Sequence, residues 1–261
     1  MAKEIRDIIA QDERRAAGLE GLEAAAILQS LRRAIDFAVK KGWLSTRLPK
    51  VASSPTSEGL VTVETGFSFE PFTDEDKEKL RTDGALVYTL EGQKIQGQKE
   101  GGRRFLHVVS AKRVLTTPSR IMEVAIYPDP ERFFVPGTFS QLKATQEELV
   151  KKDGQELQAR LGIEGLEEIL PEAPEVTEVM FKHFDATGVR LLGEDYRDPN
   201  PETRYWRYIR TNTPINKSGP FIAIVGHFFA VYGPYVPDWN AYRADAFLGA
   251  ARWVVKVKKT G

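Results

Sequence analysis

Between Phe221 and Trp253 the chain carries nine aromatic residues in 33 positions, against 10% aromatic residues overall, and interrupts them with Gly226, Gly233, Pro234 and Pro237. Glycine and proline at these positions break both the helical and the strand periodicity, so residues 233–248 read as irregular loop. A loop offers little core in which to hide Tyr232, Tyr235, Trp239 and Tyr242, so part of this aromatic load is expected to face solvent. Amphipathic rings on loops provide much contact area at low rotamer cost, which is what adaptable binding surfaces require. The competing reading is an aromatic core with loops wrapped around it.

The rest of the composition is that of an ordinary globular protein: 261 residues, 41% hydrophobic and 28% charged. Cysteine is absent, which excludes disulfides, thiolate nucleophiles and Cys-ligated metal sites. His107, His183 and His227 are the only histidines, so neither a metal site nor a cofactor is expected. No apolar run reaches the roughly 18 residues that span a bilayer, and the first residues alternate in charge where a signal peptide would be apolar. A cytoplasmic location is the default expectation. The zero net charge conceals an asymmetry, with residues 1–50 near +3, 51–202 near −10 and 203–261 near +7. A basic, aromatic C-terminal block is compatible with nucleic acid, but few basic residues lie among the loop aromatics, and Lys256, Lys258 and Lys259 read as a solvated tail. The +7 block can equally pack beside the −10 block of the same fold.

Apolar residues from Leu19 to Val39 recur at helical spacing, which predicts an N-terminal amphipathic helical segment over 1–50 that can dock on the protein or on a second copy. Residues 49–59 read as a linker. Beyond it the expected elements are a strand over 60–72, a Thr73-capped helix over 74–80, strands over 85–90, 105–110 and 122–127, and a long helix over 140–161. A helix over 177–187 follows, then strands over 205–211, 221–225, 228–232 and 250–257. The fold class is α+β, divided as a helical segment 1–50, a mixed middle region 51–174 and a C-terminal domain 175–261.

Catalytic constellations are scarce. His183 and Asp185 are two positions apart, which on a helix turns them about 200° from each other, so they do not read as a dyad. His227 follows Gly226 without a nucleophile-elbow serine, and Glu147 and Glu148 read as a solvated helix face. Gly101-Gly102-Arg103-Arg104 can cradle an anion without matching a phosphate-binding loop. Asn216-Lys217-Ser218 is a chance-level glycosylation sequon. The chain is therefore expected not to be an enzyme.

Thr187-Gly188-Val189-Arg190-Leu191, the Tyr205–Thr211 strand, the stretch 226–247 rich in Tyr, Asn, Asp, Phe and Arg, and the closing Gly249–Val255 together resemble the C-type-lectin-type fold. That fold is shared by formylglycine-generating-enzyme-like domains and by the variable proteins of diversity-generating retroelements. The retroelement resemblance implies adenine-directed codon changes near the C-terminus, so that exposed ligand-contacting residues differ between copies while the sheet stays fixed. Asn codons changed in this way yield Tyr, Asp, Ser, His, Phe or Arg, whereas Trp239 falls outside that alphabet and reads as scaffold. The formylglycine-generating branch is the alternative, although its oxidising members use cysteines that this chain lacks. The expected ligand-binding residues are Phe228, Phe229, Tyr232, Tyr235, Asp238, Asn240, Tyr242, Arg243 and Asp245, and the expected partner is a macromolecule, a protein rather than nucleic acid.

Overall fold

A computed structural model describes residues 68–197, 205–217 and 219–258. The expected N-terminal helical segment, the linker and most of the strand over 60–72 lie outside the described residues.

The chain runs as β1 (Phe69–Glu70), α1 (Asp74–Thr82), β2 (Leu86–Leu90), α2 (Ile95–Glu100), β3 (His107–Val108), α3 (Lys112–Thr116) and β4 (Met122–Ile126). It continues through α4 (Lys143–Leu161), β5 (Leu166–Glu168), α5 (Ala173–Thr187), β6 (Tyr208–Pro214), β7 (Phe221–Phe229) and β8 (Gly233–Val236), then β9 (Asp238–Asn240), β10 (Leu248–Gly249) and β11 (Val254–Val257). The α+β class is thereby observed. One sheet orders β1-β11-β4-β2 with β5 also on β11, and the other orders β10-β6-β7-β8-β3 with β9 also on β7. The expected division at 174/175 is not a boundary, because β11 pairs with β1, β4 and β5, and β3 pairs with β8. The described residues form one compact unit.

Local chemistry accounts for several element ends. Thr73 Oγ1 accepts the Asp76 N–H while Asp76 Oδ2 accepts the Thr73 N–H, closing the first turn of α1 reciprocally. α4 begins at Lys143 and not at Ser140, because Ser140 adopts φ 60° and gives its N–H to Asp245 O instead of opening a helix. α5 begins at Ala173, four residues before its expected start, because Pro174 sits in the first turn where its missing N–H is not needed.

Two corrections concern the aromatic segment. Gly226 does not separate two strands; β7 is continuous through it. A Cβ there would lie 2.1 Å from Tyr208 Cδ1, so the glycine seats the Tyr208 ring of the neighbouring strand. Residues 233–248 are likewise not all loop, since β8 and β9 both pair with β7. Gly233, at φ +80°, lies against the Arg104 carbonyl, and Pro237 O accepts the Ile224 N–H, so glycine and proline here shape strand ends instead of abolishing strands.

The main core takes Val124 and Ile126 from the first sheet, Ile209, Val225 and Val236 from the second, and Val176, Val179 and Met180 from α5. α5 also buries two carboxylates. Glu178 accepts from Glu91 N, Gln93 N and Ser119 Oγ, and Glu175 pairs with Arg120 and accepts from Glu172 N, so the helix fastens two loops to itself. Basic residues of the C-terminal block pair with acids of the middle block: Lys256 Nζ lies 2.6 Å from Asp76 Oδ2, and Arg252 Nε 2.8 Å from Asp153 Oδ2. Lys256 is thus not part of a solvated tail.

Glu168 on β5 is buried beside Asp153, and its Oε1 lies 3.8 Å from Arg252 Nε. Burial first, and the charge of Asp153 second, push its carboxyl from 4.5 up to about 9. Below 4.5 the folded and unfolded chains both hold this proton; above it the unfolded chain releases it while the folded chain retains it up to about 9. Stability therefore falls as pH rises through that window, by up to about 1.4 kcal/mol per pH unit from this group. Glu168→Gln is expected to remove that component, so that denaturant melts at about pH 5 and about pH 8.5 differ less than in the wild type. An unchanged difference would show that Glu168 ionises normally.

Candidate recognition loop

β7 organises the segment, and its two ends carry different neighbours. β9 pairs with its first residues, Phe221 opposite Asn240, while β8 pairs with its last, Phe229 opposite Gly233. Eight residue steps separate Phe221 from Phe229, about 26 Å of strand. The nine expected ligand-binding residues consequently do not form one patch. Phe229 and Tyr232 lie at one end, and Asp238, Asn240, Tyr242, Arg243 and Asp245 belong to the other.

Tyr235 lies between them, in a row across the sheet that pairs Tyr208 with Gly226, Gly226 with Tyr235 and Tyr235 with His107. The Tyr208 and Tyr235 rings meet edge to face at 6.1 Å, and Phe247 joins Tyr208 at 5.6 Å. Phe228 is a correction: it is only 6% exposed and packs edge to face on Phe181, because its side of β7 faces α5. Phe229 is half-buried against Trp206 and His227. Trp253 is likewise core.

The stretch from β9 to β10 presents the most exposed aromatic of the described residues, Tyr242 at 77%. Asn240 Oδ1 accepts the Tyr242 N–H at 2.9 Å, forming a turn that turns Tyr242 outward. Arg243 lies over the Trp239 ring at 5.4 Å, and Asp245 accepts from Trp239 Nε1 at 2.9 Å. Asp245 therefore holds the half-buried Trp239 in place, and Asp238, Tyr242 and Arg243 are the side chains left at the surface.

What fixes the loop is a residue that the sequence reading did not single out. Arg210 on β6 is completely buried, with a guanidinium that donates to Ala241 O at 3.0 Å, Arg243 O at 2.7 Å, Gln141 O at 3.4 Å and Gln146 Oε1 at 2.5 Å. Gln146, also fully buried, donates in turn to Thr138 O and Leu248 O. Asp245 O takes the Ser140 N–H, and Phe247 O takes the Tyr208 N–H. Burial pulls the guanidinium below its ordinary pKa, and the charges of Asp245 and Glu147 oppose that pull. Main-chain carbonyls thus carry the anchoring, and the side chains of Tyr242 and Arg243 take no part in it.

The histidines are placed differently from a catalytic pair. His183 is buried with Nδ1 2.6 Å from the Tyr88 hydroxyl, while Asp185 is exposed and paired with Arg103. His227 is buried against the Trp206 ring and held neutral, its pKa drawn down to about 3 by burial and then by Arg197 and Arg190. No hydrogen bond joins His183 or His227 to a carboxylate among the described residues. Comparison with known proteins finds no matching family model, no matching curated relative and no matching solved structure.

Replacing Arg210 by Leu leaves several buried carbonyls and Gln146 without their donor, an expected loss of about 3–5 kcal/mol together with faster amide exchange over 241–248. Tyr242→Ala is expected to stay within about 0.5 kcal/mol of the wild type. Chemical denaturation and hydrogen exchange read both. A tolerant Arg210 or a destabilising Tyr242→Ala would reverse the roles assigned to them.

Proposed function

We propose that this protein is a ligand-binding display protein whose recognition surface is built on the loop between β9 and β10. The observation that carries this reading is the division of labour in the loop: its backbone is held by Arg210, Gln146 and neighbouring amides, while Tyr242, Arg243 and Asp238 face solvent. A surface of this kind has a preorganised backbone and side chains that are free to contact a partner, which lowers the ordering cost of binding. Tyr242 supplies the anchor, and Arg243, Asp238 and Asn240 supply polar orientation. The partner class is another protein.

The narrower reading is that the segment is C-type-lectin-like and belongs to a variable protein of a diversity-generating retroelement. Support comes from the placement of a loop-rich stretch between β7 and β11, bracketed by sheet, and from anchoring through the carbonyls of 241 and 243, which does not depend on the side chains at 242 and 243. Under this reading the interchangeable positions are Asp238, Tyr242 and Arg243, while Asn240 is kept for the turn its Oδ1 closes on the Tyr242 N–H. Phe228, Trp239, Asp245 and Arg210 are scaffold.

The two levels separate experimentally. A library varied at 238, 242 and 243 and selected against immobilised globular proteins is expected to yield binders whose melting temperatures remain within about 3 °C of the parent. Absence of binders, or variants that mostly fail to fold, would overturn the display reading. In the surrounding DNA, the expectation is a reverse transcriptase gene and a near-copy of the 226–253 coding segment that differs at adenines. A neighbourhood lacking both removes the retroelement reading and leaves the display reading standing.

A further inference from the structure

The opposite end of β7 carries a second exposed feature, assembled from three separate segments. Residues 103–106 meet the β7–β8 turn, where Gly233 packs on the Arg104 carbonyl and Leu106 N donates to Pro234 O. They also meet the end of α5, where Arg103 pairs with Asp185 and lies over the Phe181 ring at 5.0 Å. The α5 end in turn meets β7, through the Phe184–Phe228 ring contact at 5.5 Å and the Phe228 N–H donated to Leu192 O. These contacts make 103–106, 184–192 and 228–234 one neighbourhood.

Half of the exposed large apolar side chains among the described residues fall within it: Leu106, Phe184, Val189, Val231 at 61% and Tyr232 at 52%. Isolated exposed apolar side chains are ordinary, but clustering on adjoining segments marks a surface that another molecule covers. The polar residues of the neighbourhood are unbalanced, with Arg103, Arg104 and Arg190 against a lone Asp185 that is already engaged by Arg103. Arg104 and Arg190 have no ion-pair partner among the described residues.

We infer that this end of the molecule is a docking surface for a segment of a partner protein that carries acidic and apolar side chains together. Val231 and Tyr232 at the turn, Phe184 and Val189 at the helix end supply the apolar contact, and Arg104 and Arg190 supply the charge that selects an acidic partner. A protein segment suits the surface better than an anionic bilayer. The apolar side chains are spread over three segments instead of projecting from one tip, and Asp185 sits among them. The surface is distinct from the β9–β10 loop, being separated from it by the length of β7, about 26 Å.

The test uses the full chain and three labelled peptides followed by fluorescence anisotropy, with glutamate alternating with leucine, lysine with leucine, and glutamate with serine. Binding of the glutamate–leucine peptide alone is expected. Val231→Ser with Tyr232→Ser, and separately Arg104→Glu with Arg190→Glu, are each expected to weaken it about tenfold or more, while Tyr242→Ala leaves it unchanged. The Val231/Tyr232 variant alters exposed side chains and is expected to melt within about 2 °C of the wild type, and the Arg104/Arg190 variant, whose Arg190 is half-buried, within about 4 °C. The inference is overturned by failure of the glutamate–leucine peptide to bind, or by equal binding of the lysine–leucine peptide. Preferential cosedimentation with phosphatidylserine vesicles would replace it with a membrane surface. Concentration-dependent sedimentation abolished by either variant would replace it with self-association.

Discussion

The arrangement of the C-terminal segment depends on one buried cation. Taking a guanidinium out of water is costly, and the cost is tolerable only if nearly every N–H finds an acceptor. Arg210 finds them in Gln146 and in carbonyls of the 141 and 241–243 segments, which brings together β6, the start of α4 and the loop after β9. A carbonyl is present whatever the side chain at its residue. The loop path is therefore insensitive to what stands at 242 or 243, whereas a loop held by its own side chains would move whenever they changed.

Much of the scaffold was legible because its signals are local. The Thr73 cap, the Met122–Ile126 run and the helix ends at 161 and 187 each declare themselves within a few residues. Arg210 does not. In Tyr208-Ile209-Arg210-Thr211 it occupies the alternate position of a strand, which reads as the solvated face. It becomes interior only because a loop more than thirty residues further on folds over it. The same non-local closure separates the aromatics. Nothing near Phe228 in the sequence distinguishes it from Tyr232, yet one faces α5 and the other water, since the turn between them reverses the chain.

Glycine and proline misled for a related reason. Read along the chain they are breaks, but Gly226 and Gly233 each accommodate a close neighbour from a distant part of the chain, the Tyr208 ring of β6 and the Arg104 carbonyl before β3. Their meaning is set across the sheet and not along it. Once β8 and β9 are recognised as strands, the single aromatic display expected over 226–247 divides into two surfaces at the ends of β7, with the half-buried Tyr208–Tyr235 row between them. A small ligand cannot bridge the two, since about 26 Å of strand separates them.

Charge follows the same logic. The C-terminal block holds the excess of positive residues in the sequence, yet Arg210, Arg252 and Lys256 are drawn into the fold by carbonyls, Asp153 and Asp76. Arg104 and Arg190 at the far end of β7, which have no ion-pair partner among the described residues, come from the block that is acidic overall. That block in turn sequesters part of its own negative charge, since Glu175 and Glu178 are buried on α5 with Arg120 and backbone amides as partners. Net charge along a segment therefore has little bearing on the sign its surface presents. The sign at a surface is set by which residues fold closure leaves without a partner, and among the described residues those around the β7–β8 turn are arginines beside bare apolar side chains.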